Sequence, residues 1–127
     1  MRGLRLWRAA APLLAFVALC TGCAHPADPA ALADQTTRGV YDGDYTATTQ
    51  NFDDALKGQV TRASLGALSD RMHALGVYHG LRDAGSDAQR SRYDFTATFD
   101  RGTMLVELRL DADHRIAAYR VSPQSGS

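Results

Sequence analysis

The chain has 127 residues, 45% of them hydrophobic, with 14 basic and 14 acidic side chains. That is enough for one modest core, and the balanced charge excludes the basic field needed to neutralise phosphates, so nucleic acid is not an expected partner. Both cysteines, Cys20 and Cys23, fall near the N-terminus, which excludes a disulfide framework for everything after them.

Arg2, Arg5 and Arg8 precede an almost wholly apolar run from Ala9 to Cys20, and no acidic residue occurs before Asp28. A positive start, a short apolar run and a small-residue exit make a secretory signal, and the run is too short to span a bilayer stably. The exit, Thr21-Gly22-Cys23, resembles the cleavage box of bacterial lipoproteins, with Cys20 standing where Leu is usual. The expectation is a signal peptide over 1–22, lipid attachment at Cys23 and a tether over 23–33. Two acyl chains would anchor the protein stably, since each buried methylene contributes about 0.8 kcal/mol. Ala24, where Asp would retain the protein at the inner membrane, resembles the outer-membrane sorting class. The expected location is therefore the cell envelope, on the outer membrane facing the periplasm. The alternative is cleavage after Ala24, giving a secreted or periplasmic soluble protein. Removing the three signal arginines leaves 11 basic against 14 acidic residues, so the mature chain is mildly acidic.

An α+β domain is expected over 34–122. Asp28-Pro29 reads as a helix start, with Ala30, Ala33, Thr37, Val40 and Tyr41 on one face and Asp42-Gly43-Asp44 as the break. Thr48 or Thr49 is expected to cap a brief second helix that carries Phe52, Ala55 and Leu56 inward and stops at Gly58. Thr61 opens a third, in which Leu65, Leu68, Met72 and Leu75 recur at the spacing of one helical face. Gly76 follows as its exit residue.

After Gly76 the pattern changes to strand. Val77 to Leu81 is a short run. Ser91 to Asp100 then alternates, with Tyr93, Phe95, Ala97 and Phe99 on one face, and Arg101-Gly102 turns the chain. Met104, Val106, Leu108 and Leu110 alternate in the next strand. Asp111 to His114 forms a turn, and Ile116 to Val121 closes the sheet. Short connections join antiparallel neighbours, so the expected fold is two or three N-terminal helices packed on one face of a four-stranded antiparallel meander. The tail over 123–127 is polar and expected to be disordered.

Gly43-Asp44-Tyr45, Phe52-Asp53 with Leu56-Lys57, Thr61, Leu65, Leu68 and Leu75-Gly76 with Tyr78 occur in that order. A hairpin from Tyr93 through Phe99, Gly102 and Leu105 to Leu110 follows, then Asp113, Ile116 and Ala117. Over about Asp34 to Val121 the chain resembles the bacterial domain-of-unknown-function 3887 family, whose fold is similar to the cone-shaped nuclear-transport-factor-2-like α+β domains. The resemblance implies a module found in small lipoproteins and ahead of hydrolase domains, without implying a reaction. No hydrolase segment follows Val121 here, so the module alone is expected.

That fold often encloses an apolar cavity between helices and sheet. Tyr78, Tyr93, Phe95, Phe99, Met104 and Tyr119 are the side chains available to line one. A domain this small is expected to fill the space with them instead, since ligand pockets need about 300 Å³ or more. An isomerase or lyase of the same superfold would also need a buried carboxylate with a raised pKa. Asp44, Asp53 and Asp94 are available, but read as turn, helix surface and outer strand face.

His73 reads as part of a solvated helix face, and Tyr78 and His79 point to opposite faces of a strand. His73 and His79 lack the spacing of a helical metal pair. His25 lies on the tether. Asp111, Asp113 and His114 lack the Gly and distal Glu of a calcium loop. No nucleophile motif or phosphate loop is present, and no metal or cofactor is expected. The leading expectation is a non-enzymatic envelope module for a protein partner or small apolar ligand. A homodimer through the sheet is disfavoured by the polar outer face bearing Thr96, Thr98, Glu107 and Arg109.

Overall fold

Side-chain caps decide where the helices begin. The structure, a computed structural model, describes residues 28–124; the signal segment, Cys23 and the tether as far as Ala27 lie outside the described residues, as do residues 125–127. Asp28 accepts a hydrogen bond from Ala30 N at 3.1 Å, and Pro29 fills the first helical position, where no N–H is required. Helix α1 then runs over Pro29–Tyr41, so regular structure begins inside the stretch assigned to the tether. Its buried face is Leu32, Ala33, Thr36, Thr37, Gly39 and Val40, while Ala30, expected on that face, is exposed.

The single helix expected next is two. Asp44, not a threonine, caps α2 (Tyr45–Thr49) by accepting from Ala47 N at 3.0 Å. Thr48 and Thr49 are inside that helix and buried. Their hydroxyls donate back to Asp44 O at 2.7 Å and Tyr45 O at 2.9 Å, so burial leaves neither unsatisfied. Phe52 lies between the helices, beside Ile116 in a parallel bridge. Asp53 N donates to Ile116 O, and Ile116 N to Asn51 O, each at 2.8 Å. Asp53 then caps α3 (Asp54–Gln59), which contains Gly58 and ends one residue beyond it.

Helix α4 (Arg62–Ala74) starts where Thr61 announces it, with reciprocal bonds between Thr61 and Ser64. Leu68 and Met72 are buried; Leu65 and Leu75 are partly so. Gly76, with φ at +94°, provides the left-handed exit.

Four antiparallel strands follow in the order β1-β2-β3-β4: β1 (Tyr78–Asp87), β2 (Arg92–Phe99), β3 (Gly102–Leu110) and β4 (Ile116–Pro123). The alternation holds in β2 and β3, where Phe95, Ala97, Phe99, Met104, Val106, Leu108 and Leu110 are all buried. Strand β1 begins at Tyr78 and runs well past Leu81, with bulges at 78/80 and 83/85. Its polar half, from Arg82 to Asp87, is held as strand by the ladder to β2 and not by apolar content of its own. Pro123, expected in the disordered tail, is the last residue of β4, and Gln124 N donates to Thr103 O at 3.3 Å. Among the described residues the result is an α+β fold with four α-helices, where two or three were expected. One cluster, with Phe52, Met72, Val40, Val106, Leu108 and Ile116 fully buried, joins the two layers. Among the described residues no helix is long and apolar enough to cross a membrane.

Candidate functional site

Asp34, on the second turn of α1, ties that helix to the edge of the sheet. Tyr78 donates its hydroxyl to Asp34 Oδ1 at 2.7 Å, and Arg38 Nε donates to Asp34 Oδ2 at 2.9 Å. The Arg38 guanidinium lies 5.1 Å from the centroid of the Tyr78 ring. Burial, reinforced by the bond to Asp34, holds the Tyr78 phenol far above its ordinary pKa, so it stays protonated and keeps donating. Arg38's own hydrogen bond to Asp34 raises the pKa of its guanidinium.

A cleft of about 530 Å³ opens between Asp28, Pro29, Ala30 and Asp34 on the helix side and Leu81, Asp83, Ser86, Tyr93 and Phe95 on the strand side. Leu81 pairs with Ala97 and Asp83 with Phe95 in the β1–β2 ladder, which places both on the inner face. Apolar side chains form the floor and three carboxylates the rim. Asp83 Oδ1 accepts from Gly85 N at 3.0 Å, where φ is +144° and glycine is needed.

The side chains proposed to line a common pocket divide. Tyr93 and Phe95 line the cleft. Tyr78 and Phe99 belong to the buried core, with ring centroids 5.5 Å apart. Tyr119 packs against the core, and its hydroxyl lies 2.9 Å from that of the fully buried Thr37; burial raises its pKa, opposed by that bond. Met104 lies at the other end, in a cleft of about 620 Å³ shared with Arg71, Leu75, Arg101 and Pro123. There Arg101 donates to Ala74 O at 2.8 Å, closing the end of α4. Cys23 lies outside the described residues.

The carboxylates weighed for catalysis have structural partners or face outward. Asp44 and Asp53 are helix caps, and Asp94 sits opposite Glu107 on the outer face of the sheet. One Asp94 oxygen is shielded and has no hydrogen bond; its nearest cation is Arg92, with Nε at 4.0 Å. His73 is exposed, as its position suggested, yet it stacks on Tyr41 with centroids 4.1 Å apart and bonds Tyr41 O at 2.7 Å. Tyr78 points in and His79 out, the latter 2.6 Å from Asp100. Asp111 accepts from Asp113 N and Arg115 N, which makes the 111–114 segment a side-chain-stabilised turn. Among the described residues no three His, Cys, Asp or Glu side chains are grouped to hold a metal ion.

Sequence reasoning missed Asp28, Asp34, Leu81 and Asp83 as cleft residues. Only the apposition of α1 with β1 brings them together, and no local pattern marks that. Comparison with family models, curated proteins and solved structures returns no match.

Proposed function

We propose that the protein is an exported, lipid-anchored binding module of the cell envelope, holding a partner protein or small apolar ligand in the cleft between α1 and the β1–β2 edge. The observation that carries the reading is the cleft itself. Its volume of about 530 Å³ lies in the range of ligand sites, roughly 300–1,000 Å³. It joins an apolar floor to a charged rim, while Asp44 and Asp53 are occupied in capping helices. The address rests on the sequence: three arginines, the apolar run from Ala9 to Cys20, and Cys23 after Thr21-Gly22. The order of helices before a four-stranded meander supports placing the domain with the 3887 family and the nuclear-transport-factor-2-like folds.

Two measurements in cells test the two halves. Fractionation is expected to find the native protein with membranes and a Cys23→Ala variant away from them; identical distributions contradict the anchor. A photo-crosslinking residue at Ser86, on the rim, is expected to give adducts absent from the same residue at the exposed Ala63 on α4. Equal yields from both positions contradict the cleft as the binding site.

A further inference from the structure

We propose that the cleft recognises an extended, basic segment of a partner protein, which adds as a strand to the free edge of β1 and directs alternate side chains over Leu81 and between the rim carboxylates. This deepens the reading of the cleft as the binding site and does not depend on the lipid anchor.

The sign of the charge decides the ligand class. The N-terminus of a helix ordinarily favours an anion, with about half a positive charge. Here Asp28, Asp34 and Asp83 all line the cleft, and among the described residues Arg38 is the cation paired with one of them, Asp34. Three carboxylates against one guanidinium and the helix end leave roughly −1.5 charges, so the rim repels anions and attracts cations. Asp28 also occupies the Ala30 N–H that an anion would use.

The sheet edge argues for a peptide. Strand β1 is the outermost in the order and has β2 as its strand neighbour. Between its two bulges, Gly80 to Asp83 pair regularly with Thr98, Ala97, Thr96 and Phe95. Gly80 itself has φ +124°, so Leu81 to Asp83 are the residues in regular strand geometry, and among the described residues no other strand pairs with their outer edge. A strand placed there would turn every second side chain toward Leu81 and Asp83 on the inner face. The bulges at either end interrupt the long flat edge that a second copy would need, which favours a short peptide over edge-to-edge self-association.

The test uses the purified exported chain and four end-capped probes: an octapeptide of alternating lysine and valine, its glutamate–valine counterpart, the basic peptide N-methylated at alternate backbone nitrogens, and spermidine. The basic octapeptide is expected to bind at least about tenfold more tightly than the other three. Its binding should weaken at about 1 M salt, where the screening length falls to about 3 Å. The double variant Asp28→Asn with Asp83→Asn keeps oxygen acceptors for Ala30 N and Gly85 N while removing two charges. It is expected to melt like the native protein and to lose about tenfold in affinity for the basic peptide. Equal binding of basic and acidic peptides overturns the charge argument. Full binding by the N-methylated peptide or spermidine overturns strand addition. No binding by any probe overturns the proposal and leaves Asp83 and the bulges as protection of a bare edge. If the basic peptide fails while Ser86 still crosslinks in cells, the peptide class falls and the cleft stands; if both fail, both readings fall.

Discussion

Asp34 and Asp100 show how much single carboxylates do in this domain. Asp34 joins α1 to the sheet through one oxygen, which accepts from Tyr78, while its other oxygen accepts from Arg38 one turn along the same helix. Tyr78→Phe removes only the hydroxyl of a ring that is 7% exposed. A hydrogen bond to a charged group is worth about 1.5–3 kcal/mol, and Asp34 keeps Arg38, so a loss near the lower end, about 1.5 kcal/mol, is expected in urea unfolding. Asp100, in the β2–β3 turn, ties that turn to the start of β1 by accepting from Val77 N at 2.9 Å and bonding His79 at 2.6 Å. The Val77 bond first, and His79 second, hold its pKa below the ordinary 3.8. A carboxyl depressed in the folded state contributes stability that is complete above that ordinary value and is lost as pH falls through the folded one. Acid titration of stability should therefore show a decline below pH 3.8 that is shallower in Asp100→Asn. An identical acid limb in the variant contradicts this.

At the scale of elements, two helix glycines make opposite predictions from the same substitution. A Cβ at Gly39 would lie 2.8 Å from the backbone nitrogen of Thr48, because α1 and α2 cross in contact there. The intrinsic gain of about 1 kcal/mol for Ala over Gly in a helix is outweighed by overpacking that costs about 1–3 kcal/mol, so Gly39→Ala is expected to destabilise. Gly66 in α4 has nothing within 4 Å of such a Cβ, and Gly66→Ala is expected to stabilise by up to about 1 kcal/mol. Thermal melts of the two variants should move in opposite directions.

The same helices mark where the sequence was legible. Helices α1 and α4 could be read because a cap and an apolar face coincide at Asp28-Pro29 and at Thr61. Strands β2 and β3 could be read because one face is core and the other solvent. The 44–59 stretch misleads because Thr48 and Thr49 have cap chemistry, yet they sit inside a helix and bond backward. The sequence shows only the first part of β1, because Arg82 to Asp87 carry no alternation; the ladder to β2 makes them strand. Of the cleft, Tyr93 and Phe95 were visible as inward aromatics. Asp34 and Asp83 were not, since their meeting depends on tertiary packing.

Apart from Arg2, Arg5 and Arg8 the chain has 11 basic and 14 acidic residues. Its acidity is used locally, in helix caps and around the α1–β1 cleft. Four residues separate Cys23 from Asp28 at the cleft's rim, five Cα–Cα steps that span at most about 18 Å when fully extended, so a lipid at Cys23 would hold the binding surface close to the bilayer. Intact-mass measurement of the protein extracted from its native membranes tests the anchored module. The predicted result is a chain beginning at Cys23 and bearing a diacylglyceryl group. A chain beginning at His25, or one that retains Cys23 with a free thiol, would contradict it.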